Sequence, residues 1–213
     1  MEKIIKKTKD FAKNKMAGKA SGQDWQHVYR VYKNATKIAE KETANSFIVQ
    51  LASLLHGIAD WKVYNGDIKE GLKIIKNFLN EMDVDSDTIN HVIDIVQKIS
   101  FKGAQTRKEL LSKEGQIVQD ADRLDALGAM GIARTFAYGG YTGREIYNPE
   151  IKPILHKTFE DYKKNNNPSI NHFYEKLLLL KDLMNTNTAK EIALQRHAFM
   201  EQFLNEFHKE ADL

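Results

Sequence analysis

The sequence contains no cysteine, which excludes disulfides and thiolate metal ligands, so histidine, aspartate or glutamate must hold any metal. It also lacks an apolar run of the ~20 residues that a membrane-spanning helix needs. Its longest such run, Leu177 to Leu180, lies between two lysines. The lysine-rich beginning lacks the apolar core of a secretory signal and is typical of a solvated helix face. We therefore expect a cytoplasmic protein without a membrane partner.

Proline is scarce, and apolar residues recur at helical rather than alternating spacing. Val28, Val31, Ala35 and Ile38, for example, form one stripe of a predicted helix. Hydrophobic residues make up 42% of the chain, enough for a proper core. We predict one all-α domain over residues 1–213, with a core at about 20–137 and a C-terminal helical extension at about 138–213.

The first predicted helix of this core opens near Ser21 and Asp24, both suitable N-caps. The segment Phe47 to Leu55 is apolar nearly all round, which predicts a buried helix that delivers His56 to the protein interior. Such a buried histidine needs a polar partner. Further helices are predicted at about 68–79, 87–99, 117–136, 171–184 and 189–207, and loops at 138–143 and 163–167.

The net charge is small, because the chain has 32 lysines and arginines and 29 acidic residues. A net charge of +3 argues against nucleic acid as the main partner. An RNA-binding helical protein that uses the lysine-rich helices is the weakest alternative for this reason. The sequence leaves the oligomeric state open, and a homo-oligomer is compatible with it.

Three segments carry histidines and aspartates in an ordered pattern. They are Asp24–His27, Leu54–Trp61 and Gln119–Asp125. This order resembles the HD superfamily of metal-dependent phosphohydrolases, whose pattern is His, then a His-Asp doublet, then Asp. The similarity to its smaller bacterial branch continues through three later blocks and covers nearly the whole chain. These blocks are Phe136–Gly140, Phe173–Leu177 and Leu180–Thr186.

The resemblance implies an HD-type helical bundle with His27, His56 and Asp122 as metal ligands. Asp120 is the second choice for the carboxylate, and the aspartates near it have a simpler explanation as a helix N-terminal cluster. Two imidazoles with carboxylates suit divalent transition ions better than calcium. We expect manganese first, with iron, cobalt, nickel or magnesium as alternatives.

Gly57 is a departure from the family, which places aspartate at this position. Glycine supplies no ligand oxygen, and inside a helix it costs about 1 kcal/mol relative to alanine. The chain has therefore lost full metal binding, uses another carboxylate, or carries an introduced change, and the sequence does not separate these. We expect reduced activity.

Other residues could take part in catalysis or in substrate binding. Asp60 lies four residues after His56, so on a helix its carboxylate would share a face with the metal ligands. It could handle a proton, replace the missing ligand, or form a salt bridge with Lys62 or Lys69. Gln23 stands where relatives frequently have histidine and still offers an amide to phosphate. The predicted phosphate-binding set is Gln23, Arg30, Lys102, Arg123, Lys176 and Lys181.

The leading hypothesis is a metal-dependent phosphohydrolase that cleaves a phosphoanhydride, or a phosphomonoester, of a nucleotide or related small molecule. The alternative is a non-catalytic nucleotide-binding or sensor protein on the same fold, which Gly57 and Gln23 motivate.

Overall fold

A computed structural model describes residues 1–17, 24–60, 68–100 and 109–211. These residues form ten α-helices and two 3₁₀ segments without a strand, so the all-α prediction is confirmed. Among them, no helix has the length and apolarity to cross a membrane. The α-helices are α1 Glu2–Met16, α2 Trp25–Glu42, α3 Ser46–Leu55, α4 Lys69–Glu81, α5 Ser86–Lys98, α6 Lys113–Asp125, α7 Gly128–Tyr141, α8 Phe159–Lys164, α9 Asn171–Glu175 and α10 Asn187–Ala211, and the 3₁₀ segments are His56–Ala59 and Leu177–Leu183.

The described residues divide into two compact units. The first contains the described residues up to Ser100 together with Glu109–Asp122, and the second runs from Arg123 to the end of α10. The expectation of a single domain stays a prediction.

Helix α3 is the centre of the first unit and packs against α1, α2 and α5. The Asn45 side chain caps its start by accepting hydrogen bonds from the N–H groups of Phe47 and Ile48. Leu51 and Leu54 are fully buried, and each such leucine contributes roughly 1.5–3 kcal/mol relative to an exposed one. The prediction of a buried helix before His56 is therefore confirmed.

Helix α2 begins and packs as its sequence predicts. The Asp24 carboxylate caps it by accepting a hydrogen bond of 2.8 Å from the backbone N–H of His27. The predicted stripe along this helix is fully buried at Val28, Val31 and Ile38. The cap and the stripe together fix which face of α2 points inward, and His27 lies on that face with no exposed surface.

The prediction of one helix over residues 117–136 is wrong. Helix α6 ends at Asp125 and α7 begins at Gly128, whose φ of +69° is left-handed. Glycine adopts this conformation without the strain that a side chain brings, and a residue with positive φ interrupts a continuous α-helix. The predicted loop at 138–143 also begins late, because α7 continues to Tyr141.

The second unit contains more irregular structure than the periodicity indicated. The predicted helix over 171–184 is a short α9 followed by the 3₁₀ segment Leu177–Leu183. Glu175, only 2% exposed, accepts hydrogen bonds of 2.6 Å from the side-chain amides of Asn165 and Asn167 and one of 3.1 Å from the Ile154 N–H. One buried carboxylate therefore holds the polar segments before α9 in place.

Candidate metal centre

Three side chains of the first unit converge on one point, and each comes from a different segment. His27 lies in the first turn of α2, His56 directly follows α3, and Asp122 lies in the last turn of α6. Their ligand atoms all lie within 4.8 Å of one another. The three predicted ligands are thus brought together, although up to 95 residues of sequence separate them.

The distances between these atoms fit a single divalent ion. The Nε2 atoms of the two histidines are 3.2 Å apart, and the Asp122 Oδ1 atom lies 3.5 Å from His27 Nε2 and 3.8 Å from His56 Nε2. Ligand bonds of about 2.1 Å place two neighbouring ligands of one ion roughly 3.0–3.4 Å apart. Small side-chain movements would bring all three atoms to bonding distance.

The tautomer of His56 agrees with metal binding. Its Nδ1 atom lies 2.7 Å from the backbone carbonyl oxygen of Ser53, which can only accept a hydrogen bond. Nδ1 therefore carries the proton, and the Nε2 lone pair points toward His27 and Asp122. Metal-binding histidines usually have such a second hydrogen bond. Sequence reasoning missed Ser53, although the free carbonyls at a helix C-terminus are a signal for it.

The position of Asp122 is unfavourable for a merely structural carboxylate. Asp120, Asp122 and Asp125 lie near the C-terminus of α6, so the idea of a helix N-terminal cluster is wrong. The helix dipole disfavours negative charge there. Asp125 is compensated by a salt bridge of 2.9 Å to Arg134, whereas Asp122 faces the two histidines and keeps 32% of its side chain exposed.

Between the two candidates for the carboxylate ligand, the geometry favours Asp122. Asp120 is fully buried and does not belong to the group of converging ligand atoms.

Gly57 is buried directly beside this group, and the space for a side chain is crowded. A Cβ atom on Gly57 would lie 3.0 Å from Met16 Cε and 3.0 Å from Val28 Cγ2. Both distances are shorter than ordinary van der Waals contact. The methionine therefore occupies part of the volume that an aspartate at this position would need, and no local sequence signal predicts this contact between distant segments.

The helical argument for Asp60 is wrong, because α3 ends at Leu55 and His56 begins a 3₁₀ segment. Asp60 follows that segment with extended backbone, at φ −67° and ψ 131°. It does not belong to the converging group of described ligand atoms. Its role in proton transfer, or as a replacement ligand, stays a prediction.

The predicted phosphate-binding residues lie in different parts of the chain, and two of them lie outside the described residues. Arg30 is partly exposed on α2, one turn after His27. In the second unit, the Arg123 guanidinium donates a hydrogen bond to the backbone carbonyl of Leu183. Lys176 directly precedes the 3₁₀ segment Leu177–Leu183, and Lys181 lies within it. Both lysines are partly buried. Gln23 and Lys102 lie outside the described residues. The role of all six in substrate binding stays a prediction.

Known proteins resemble this chain in sequence and in fold. The profile of the HD domain family matches residues 24–127, a span that includes all three converging ligands. A crystal structure from Lactobacillus plantarum is 37% identical, covers 100% of this chain and 98% of its own, and superposes with a TM-score of 0.90. An HD-superfamily hydrolase from Bacillus thuringiensis is 45% identical, with 99% and 98% of the two chains covered and a TM-score of 0.76.

The Bacillus subtilis protein YpgQ is 39% identical over 196 residues, which are 92% of this chain and 87% of YpgQ. The crystal structure of YpgQ in complex with ADP matches with a TM-score of 0.79 and covers 98% of this chain and 95% of that one. The chain therefore belongs to the HD superfamily and has the fold of its hydrolases.

Proposed function

We propose that this protein is a metal-dependent phosphohydrolase that cleaves a phosphoanhydride bond in a nucleotide or a related small phosphorylated molecule. The observation that carries this proposal is the convergence of His27, His56 and Asp122 at 3.2–3.8 Å, with a partly exposed carboxylate. Two imidazoles and one carboxylate select a divalent transition ion, and manganese is our first choice.

Each residue has a separate role in the proposed reaction. His27, His56 and Asp122 would hold the ion, and a divalent ion in such a site lowers the pKa of a bound water toward neutrality. Asp60 would accept or return a proton. Arg30 would offer a guanidinium donor to phosphate oxygens, for which its planar geometry is suited.

A nucleotide substrate is supported by the ADP complex of YpgQ, which is 35% identical over the aligned structure. ADP contains a phosphoanhydride, the bond that we propose is cleaved. The identity of the base and the number of phosphates are the variables for a substrate panel.

The test is release of phosphate or pyrophosphate from nucleoside mono-, di- and triphosphates with manganese present or chelated. Asp122→Asn keeps the side-chain size but removes the charge, and we expect at least about a 100-fold loss of turnover. Asp10→Asn is the matched control, because Asp10 is exposed on α1 and should leave turnover unchanged. Full activity in Asp122→Asn would refute the proposed centre.

A second candidate is a nucleotide-binding protein without catalysis. The close packing of Met16 and Val28 around Gly57 favours it, because a side chain at this position can enter only if Met16 moves. Nucleotide binding without turnover, in the natural chain and in Gly57→Asp alike, would select this alternative.

A further inference from the structure

A cavity of about 390 Å³, apart from the metal centre, opens in the first unit. Its size falls at the lower end of the range for small-molecule sites. The residues that give it its chemistry come from α1, α2 and α3. They are Ile5, Lys6, Lys9, Tyr32, Phe47 and Gln50.

This cavity is separate from the metal ligands. Tyr32 follows His27 by five residues on α2, which turns its side chain about 140° around the helix axis. Phe47 and Gln50 lie in the first half of α3, whereas His56 follows the last residue of that ten-residue helix, which is about 15 Å long. A molecule bound in the cavity would therefore not compete with a substrate at the metal centre.

The walls combine apolar surface with a fixed polar edge. Ile5 and Phe47 supply aliphatic and aromatic surface. The Tyr32 hydroxyl donates a hydrogen bond of 3.1 Å to Gln50 Oε1, and Gln50 Nε2 donates one of 2.9 Å to Ser46 Oγ. These bonds hold the Tyr32 ring and the amide in one orientation, so the wall is organised before a ligand arrives.

The charged residues that line the cavity are net positive, because Lys6 and Lys9 lie there with one carboxylate, Glu2. The Lys9 ammonium lies 4.4 Å from the centroid of the Tyr32 ring, a cation–π contact that places it over the aromatic wall. Lys6 is exposed on the same helix, and α1 carries six lysines against two acidic residues. A ligand with an anionic group at the rim would be attracted, and its apolar body would face Ile5 and Phe47.

We propose that this cavity is a binding site for a small organic anion with a flat apolar body. A mononucleotide and an aromatic carboxylate both have this chemistry. The site requires no metal, so it can be tested independently of the hydrolase proposal.

The probe is anilinonaphthalene sulfonate, a flat aromatic anion whose fluorescence rises in apolar surroundings. We expect saturable binding to the full chain under chelation of metals, weakened about five- to tenfold by Lys9→Gln. Lys7→Gln is the matched control, because Lys7 is exposed on the same helix but does not line the cavity. Far-ultraviolet circular dichroism and the urea midpoint check that both variants fold.

Competition identifies the source of the ligand. Displacement of the probe by adenosine monophosphate supports a nucleotide, and displacement by naphthoate alone supports an aromatic acid. The proposal is overturned if neither displaces the probe, or if the two lysine variants bind it equally well.

Discussion

The crowding at Gly57 makes a quantitative prediction about the substitution that would restore the HD doublet. Gly57→Asp introduces a Cβ atom 3.0 Å from Met16 Cε and 3.0 Å from Val28 Cγ2. Val28 is β-branched and fully buried, so it has little freedom to move. Met16 is unbranched, and its terminal methyl is the atom that can yield.

The magnitude follows from packing energetics. Overpacking a buried site costs about 1–3 kcal/mol, so we expect metal-free Gly57→Asp to be less stable than the natural protein by an amount in this range. Met16 is 1% exposed, so its truncation to alanine should lower the free energy of unfolding of the protein by about 2–5 kcal/mol. In the double variant Met16→Ala/Gly57→Asp the new side chain enters the vacated space. The two effects should therefore be less than additive, by about 1–2 kcal/mol.

The assay is urea unfolding of the four proteins of this cycle under chelation, followed by manganese titration. We expect the double variant to bind manganese more tightly than Gly57→Asp, because its carboxylate is no longer displaced. Gly140→Ala is a control for a glycine with nothing within 4 Å of its Cβ position, and it should not destabilise the protein. Strict additivity of the two substitutions would refute the conclusion that Met16 limits position 57.

Three further predictions concern helix ends. Asp24→Ala removes the cap on the His27 N–H and should cost about 1 kcal/mol in urea unfolding and weaken manganese binding, whereas unchanged stability would contradict the cap. Gly128→Ala places a side chain at φ +69° and should cost about 1–2 kcal/mol, measured in the same way, and a neutral effect would contradict the left-handed turn. Hydrogen bonding to the Thr88 N–H lowers the pKa of Asp85 below its ordinary value of 3.8. The stabilisation by the Asp85 carboxylate is therefore present above that value and is lost as the pH falls through the lowered pKa, so the unfolding midpoints of the natural protein and Asp85→Ala should converge in acid. A gap that persists at low pH would contradict this origin.

The parts of the fold that local patterns determine could be predicted from the sequence. The stripe of α2 and its Asp24 cap follow from residue spacing and from hydrogen-bonding capacity. The burial of α3 follows from its composition. The grouping of His27, His56 and Asp122 came from the resemblance to a family and not from spacing, because residues in three distant segments have no local signal that they meet.

The remaining features depend on backbone conformation and on contacts between distant segments. The break between α6 and α7 requires a left-handed residue at Gly128, and glycine within a helical pattern does not by itself distinguish such a turn from a tolerated interior position. The 3₁₀ segment after Leu55 redirects the chain before Asp60, which periodicity cannot show. The contact of Met16 with position 57 depends on how α1 packs in the folded unit.

The measurement that tests the metal centre most directly is equilibrium binding of manganese to the natural protein and to Asp122→Asn. The electron paramagnetic resonance signal of free manganese reports how much of the ion is bound. The account predicts one ion per chain in the natural protein and at least about tenfold weaker binding in the variant. Equal affinity in the two proteins, or no binding in the natural one, would contradict the assignment of His27, His56 and Asp122 as the ligands.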